Sequence, residues 1–288
     1  MGVHSGKWGV INSVDTVGQW SLNDIQASQK FVASNTKGGA GRRKGANDWN
    51  GSYNAWGENP AVMPGEVFAF EGYTAPDNDV YNGNGTILAG SAMVDSIAIT
   101  YNWGTGAIIS HVVNFSGNGV LSKSTDVALL DAATPIAPPV CGADAQYSMI
   151  STPATFIALP AVEQIVLTIT AENKPFVNSD TACWTQRRMG PIDWTCAVTQ
   201  QDNSAVMITN DIVKGDDYGL MFGTDVAGTG RWKLLYAHLK EITGLTINRE
   251  TGDIIKRTLN FEMNGFPDGV AAGSILRPGS ATAWWPLP

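Results

Sequence analysis

The residues best placed to do chemistry come in two sets. Arg42, Arg43, Asp48 and Trp49 stand in one half of the chain and Arg187, Arg188, Asp193 and Trp194 in the other, at a constant separation of 145 residues. A carboxylate beside guanidinium groups and an indole suits either of two jobs. As a reactive or sugar-binding group it needs further acids or aromatics held in the same place. As a packing device, the carboxylate takes an Arg fork or backbone N–H groups while the indole buries ~200 Å² and anchors its loop. Neither half keeps a second acid near its own aspartate, and of ten tryptophans only Trp49 and Trp194 correspond between halves. The eight residues are therefore expected to be structural loop anchors or interface residues. Each Asp would be bonded from its own loop or from a neighbouring subunit.

Other candidates for chemistry are sparse. His4, His111 and His238 are far apart, and His111 corresponds to Arg257 in the other half, so no histidine triad is expected. Nucleophile-elbow, phosphate-loop and His-Glu-x-x-His patterns are missing, and Gly228-Thr-Gly230 lacks the third glycine of a dinucleotide fingerprint. Asp77-Asn-Asp-Val-Tyr-Asn-Gly83 resembles a calcium loop, but its glycine comes one place late and Leu88 stands where a bidentate Glu belongs, which favours an Asx-rich turn. The three cysteines, Cys141, Cys183 and Cys196, have no counterparts in the first half; they are expected to be reduced and buried, with a Cys183–Cys196 bridge as the alternative. No catalytic residue, cofactor or metal is expected.

The elements that position the two sets also come twice. Between residues 31–49 and 176–194, nine of nineteen positions are identical, including Phe31/Phe176 and Gly45/Gly190; between 102–119 and 248–265, at an offset of 146, nine of eighteen are, including Asn118/Asn264 and Gly119/Gly265. Roughly one chance match per window is expected, so the chain carries a duplicated domain. The boundaries are drawn at 1–140 and 141–288, with a Pro-rich connector at about 120–160 and a short helix expected over Asp126–Ala133. Each half is expected to open with a strand, Gln19–Ile25 and Gln164–Thr170, followed by a long loop carrying the Arg-Arg and Asp-Trp pairs.

A hairpin closes each half. Ile97, Ile99 and Tyr101 alternate before the turn Asn102–Gly106, and a strand Ala107–Phe115 runs to a tight turn at Asn118-Gly119; Asn248–Gly252 and Asp253–Phe261 repeat it. Period two puts Ile255, Leu259 and Phe261 on one face, with Arg257 out of pattern, and Lys256, Thr258, Asn260 and Glu262 on the other. Ser110, Val112 and Asn114 take the corresponding wet face. Arg231–Ile242 fits a helix through Trp232, Leu235, Leu239 and Ile242.

Charged residues make up only 15% of the chain and Gly accounts for 32 of 288 residues, as suits a mostly β protein. A net charge of −8 supplies no basic field for gripping nucleic acid, while permitting DNA to pass without sticking. The start MGVHSGKWGV lacks the apolar run of a secretory leader, and no membrane span is expected.

The order Phe-Val-x-Ser-x-Thr, Arg-Arg-x-Gly-x-x-Asp-Trp, Pro60…Pro64-Gly65, then a Thr-Gly-x-Ile-Ile hairpin ending in Asn-Phe-x-x-Asn-Gly, resembles the tail tube (major tail) proteins of tailed bacteriophages, in a version with two tandem tube domains. The resemblance spans about 230 residues and implies two β-sandwich or barrel domains, each with long hairpins and a minor helix. It also implies a non-enzymatic virion protein, assembled in the host cytoplasm, whose six domains from three chains form rings. These stack into a β-barrel tube, contact other tail proteins and conduct DNA without binding it specifically. Ser110, Val112, Asn114, Lys256, Thr258, Asn260 and Glu262 become candidates for the lumen face, where the cationic Lys256 and Arg257 depart from a uniformly acidic lining. A virion decoration protein or a glycan-binding tandem β module are the alternatives.

Overall fold

The computed structural model describes residues 2–6, 8–12, 14–15, 17–33, 37, 39–57, 60–74, 86–124, 134–135, 147–152, 155–159, 161–202, 212–224, 231–246 and 255–264. The chain is almost entirely β. Its strands are β1 (Gly2–Gly6), β2 (Trp8–Ile11), β3 (Val14–Asp15), β4 (Val17–Phe31), β5 (Gly41–Trp56), β6 (Val67–Tyr73), β7 (Ile87–Asn102), β8 (Ser110–Ser124), β9 (Thr134–Pro135), β10 (Tyr147–Thr152), β11 (Thr155–Ala158), β12 (Val162–Ala171), β13 (Lys174–Phe176), β14 (Gln186–Arg188), β15 (Ile192–Asp202), β16 (Asp217–Thr224), β17 (Arg231–Thr246) and β18 (Ile255–Met263).

One continuous antiparallel path runs β1-β4-β5-β8-β7-β12-β15-β18-β17-β16-β10-β11. Within it the order β4-β5-β8-β7 is followed by β12-β15-β18-β17. The registers correspond too: Leu22 pairs with Gly51 and Gly51 with Phe115, while Leu167 pairs with Cys196 and Cys196 with Phe261. The two sets of four meet where Ser96–Asn102 of β7 pairs with Gln164–Thr170 of β12. β7 can do this because it is long: its first half, Ile87–Met93, pairs with β6, and its second half is left for β12.

Alternation of side chains gives this sheet one apolar face. Trp20, Leu22, Trp49, Tyr53, Ile97, Ile99, Tyr101, Val113 and Phe115 are buried on the first four strands, and Ile165, Leu167, Ile169, Trp194, Cys196, Val198, Leu259 and Phe261 on the next. β6 folds over the first part of that face and sets Phe70 and Phe68 at 4.9 and 5.5 Å from the Phe115 ring centroid. β16 does the same beside the joint, where Phe222 meets Tyr101 edge-on at 5.5 Å. One core thus runs through both halves.

Several local expectations are corrected. Gly41–Trp56 is a single 16-residue strand, not a loop, so Arg42, Arg43, Asp48 and Trp49 lie on β5, while Arg187 and Arg188 lie on β14 and Asp193 and Trp194 on β15. The reason is period two carried by few apolar residues: Trp49, Tyr53 and Ala55 point inward among Gly, Asn and Ser. Arg231–Ile242 belongs to strand β17, because Leu235, Ala237 and Leu239 alternate inward between β16 and β18. Asn118-Gly119 is not a tight turn; β8 continues to Ser124 with a register irregularity against β7 where Gly119 adopts φ +118°, a conformation open to glycine. Arg257 falls into the alternation and is buried, its Nε donating to Gln200 Oε1 at 2.8 Å.

Neither half shows an α-helix among the described residues, only a 3₁₀ turn at Ser179–Thr181. Of the proline-rich connector, Val120–Ser124 belongs to β8, while β10 and β11 join the second half's sheet through β16. Asp126–Ala133, Asp77–Gly83, Gly228–Gly230 and the turn Asn248–Gly252 lie outside the described residues, as does Cys141.

Candidate assembly interface

Five of the positions that match between the halves converge where the halves join. Arg187 carries its guanidinium onto Asp48 of the first half as a two-pronged fork, Nη1 to Oδ1 at 3.0 Å and Nη2 to Oδ2 at 2.7 Å. Nη1 also donates to the carbonyl of Gly117, and the backbone N–H of Arg187 donates to Asn118 Oδ1 at 2.8 Å. Asp48 is held ready by its own strand, since its Oδ1 accepts the Trp49 N–H at 2.8 Å. Trp49, fully buried, donates its indole N–H to the carbonyl of Gly119 at 2.9 Å. The expected Arg fork therefore exists, and it comes from the other half of the same chain.

What delivers Arg187 is a hairpin arm, β13 against β14, that leaves the second half and lies along β5 and β8 of the first. Backbone bonds seat it: Asn47 N–H to Cys183 C=O at 2.8 Å, Thr185 N–H to Asn47 C=O at 2.9 Å, and Gly119 N–H to Thr185 C=O at 3.0 Å. The second half also reaches back through Asn173, whose amide donates to the Val94 carbonyl and to Asp95 Oδ1, both at 2.8 Å. At the far end of the seam the first hairpin's tip is pinned by Trp103 N–H to Glu163 C=O at 2.8 Å. Asn118 and Gly119 stand out in the sequence through their repetition, but a repeated turn and a repeated joint are spelled alike; Asn47, Thr185, Gly117 and Glu163 carry no signal of their own.

The corresponding group in the second half is half complete. Asp193 Oδ1 accepts the Trp194 N–H at 2.8 Å and Trp194 is buried, as in the first half, but among the described residues no Arg or Lys forms an ion pair with Asp193. Arg42 is exposed on the first half's own arm, opposite Lys30, and likewise has no ion-pair partner there. Arg43 and Arg188 take a different role, lying over the rings of Phe31 and Phe176 at 5.3 and 5.1 Å and stiffening the two arms.

The other face of the sheet is largely polar. Ser110, Val112 and Asn114 alternate with buried His111, Val113 and Phe115, and Lys256, Thr258, Asn260 and Glu262 with Arg257, Leu259 and Phe261. Cross-strand bonds tie this face: Asn23 to Asn50 at 3.1 Å, Asn114 to Ser96 at 2.9 Å, Asn260 to Thr243 at 3.2 Å, with the Ser21 and Ser52 hydroxyls 3.0 Å apart. Lys256 meets Glu163 at 3.1 Å and Glu262 meets Lys240 at 2.9 Å, so these two cations are offset. His111 and His238 do not converge, since His111 Nδ1 lies 2.9 Å from the Gly57 carbonyl and His238 Nδ1 2.9 Å from Asp217. No group of three potential metal ligands occurs among the described residues.

Cys183 and Cys196 are both free thiols; Cys183 is exposed, against expectation, because it sits on the arm, while Cys196 is in the core. Burial pushes the Cys196 thiol well above its usual range, which suppresses the reactive thiolate. On a Cys141→Ser background, maleimide is expected to label the native protein at Cys183 alone and to reach Cys196 only on denaturation. Mass spectrometry of the labelled peptides checks this, and equal labelling of both in the native state would contradict the packing of β15.

Comparison with models of known protein families and with curated proteins returns no match to this chain. Among the described residues no helix is long and apolar enough to cross a membrane.

Proposed function

We infer that the chain is a structural subunit of a bacteriophage tail tube, three chains closing a ring of six domains and rings stacking into a conduit for DNA. The observation that carries this reading is the eight-stranded sheet with an apolar face against the core and a face of Ser, Thr, Asn and Gln on which Lys240 and Lys256 are paired with carboxylates. With Lys240 and Lys256 neutralised by carboxylates, that wall offers phosphates little unmatched positive charge between them, so DNA slides along it without being gripped. The sheet of one chain is open, and open edges seek partners. Closing three such sheets gives roughly 24 strands and a barrel roughly 50 Å across at the backbone, for ~4.8 Å spacing and ~40° tilt, ample for an aqueous channel. Ser110, Val112, Asn114, Lys256, Thr258, Asn260 and Glu262 then line the lumen. Other tail proteins would meet the ends of the tube in the virion. No catalytic role is proposed.

Negative-stain imaging and analytical ultracentrifugation of the purified chain test this. Three-chain rings that polymerise into hollow tubes are expected. A chain that stays strictly monomeric at high concentration, or one that binds glycans on an array, would favour a decoration or glycan-binding protein instead.

A further inference from the structure

The joint inside the chain is heterologous: one surface of the first half meets a different surface of the second. Each component of that joint has a counterpart at the chain's open ends. β12, which docks on β7, corresponds to β4; β7 corresponds to β17, whose outer edge pairs with β16 only as far as His238 and has no strand beside Lys240–Thr246 among the described residues. Arg187 and Asp48 correspond to Arg42 and Asp193, neither of which forms an ion pair among the described residues. The arm that delivers Arg187 corresponds to the first half's arm, whose Gln26–Lys30 and Arg42–Lys44 project into solvent. The registers agree as well, Pro175 opposite Arg187 and Lys30 opposite Arg42.

The edge of β4, however, is not empty. β1 pairs antiparallel along it, Gly2 to Asp24, Val3 to Asn23, His4 to Leu22, Ser5 to Ser21 and Gly6 to Trp20. The five β12 residues corresponding to Trp20–Asp24 are Ile165–Ile169, and all five pair with β7 in the internal joint. We propose that β1 is a built-in cap on the assembly edge of β4, displaced when β17 of a second copy of this chain docks there and Arg42 of the first copy's arm forks onto Asp193 of the second. A capped edge keeps free chains from pairing indiscriminately, the hazard that unpaired strands carry. It also sets an assembly threshold, because only the uncapped fraction is competent to bind.

This inference rests on head-to-tail ring closure as proposed above, and its test separates the two. Deletion of residues 2–6 is expected to lower the concentration at which half the chains are in rings by about tenfold or more. Arg42→Asp and Asp193→Arg, both at exposed positions, are each expected to abolish rings, and the double variant to restore them, because the swapped charges again face each other across the subunit boundary. Sedimentation velocity reads rings and electron microscopy reads tubes. An unchanged or raised half-assembly concentration on deletion would overturn the cap, and a double variant that does not recover would overturn the ion pair. Wild-type rings that never stack would count against the tube while leaving this interface standing. Wild-type tubes that tolerate either single swap would overturn the interface and leave the tube standing, and a chain monomeric throughout would overturn both.

Discussion

Replacing Trp49 by Ala is expected to lower the stability of the folded chain by about 3–5 kcal/mol, the range for an aromatic truncated inside a core. The side chain is fully buried, its ring meets Phe115 edge-on at 6.0 Å, and its N–H satisfies the Gly119 carbonyl at 2.9 Å. The strands around it are shaped to the indole: a Cβ on Gly90 would lie 2.7 Å from the ring, and one on Gly117 would overlap it. Ala at position 49 therefore leaves a cavity walled by backbone, which collapses poorly, and an unbonded carbonyl. Trp194→Ala should behave alike, being buried on β15 against the second half's core. Urea unfolding with a fixed m-value measures both, and a loss below about 1 kcal/mol would mean that β5 and β15 hold without their indoles. Gly117→Ala provides the converse, an overpacked site expected to cost about 1–3 kcal/mol.

How legible these features were in the sequence depended on how each strand spells its inner face. β7 and β8 spell theirs with Ile97, Ile99 and Tyr101 and with Val113 and Phe115, an apolar alternation that reads as strand. β5 spells its inner face with Trp49, Gly51, Tyr53 and Ala55, and the glycine required by Phe115 breaks the pattern, so the segment reads as loop. β17 satisfies two periods at once: Leu235, Leu239 and Ile242 fit a helix, Leu235, Ala237 and Leu239 a strand. Pairing with β16 and β18 on either side decides between them, and that lies outside the segment. The candidate interface was marked by the identity of the Arg, Asp and Trp residues in both halves. Their partners were not, because local pattern carries no information about which strand 139 residues away receives a guanidinium. Repetition shows that a device is used twice; only the pairing of β7 with β12 shows that one use lies inside the chain.

That asymmetry gives the second large effect. In the isolated chain, Arg187→Ala is expected to cost about 2–3 kcal/mol and Asp48→Asn about 1–2 kcal/mol, whereas Asp193→Asn and Arg42→Ala should stay within about 0.5 kcal/mol. Arg187 has only 10% of its side chain exposed and gives up a fork plus a bond to the Gly117 carbonyl, leaving Asp48 partly buried without its charge partner. Asp48 keeps 28% exposure, so water recovers part of the loss, and an amide retains Oδ1 for the Trp49 N–H while turning an N–H toward Nη2. Asp193 in the free chain is exposed, accepts the Trp194 N–H, which asparagine can keep, and acts on Lys240 only through solvent-screened attraction. A double-mutant cycle on Asp48 and Arg187 should return a coupling of about 1–2 kcal/mol, with no coupling between Asp193 and Arg187. Equal costs at Asp48 and Asp193 would show that the fork contributes nothing to the joint. Unequal costs in the free chain that become equal once rings form would locate the second fork at the boundary between chains, because Asp193 would then have gained the partner that Asp48 already has.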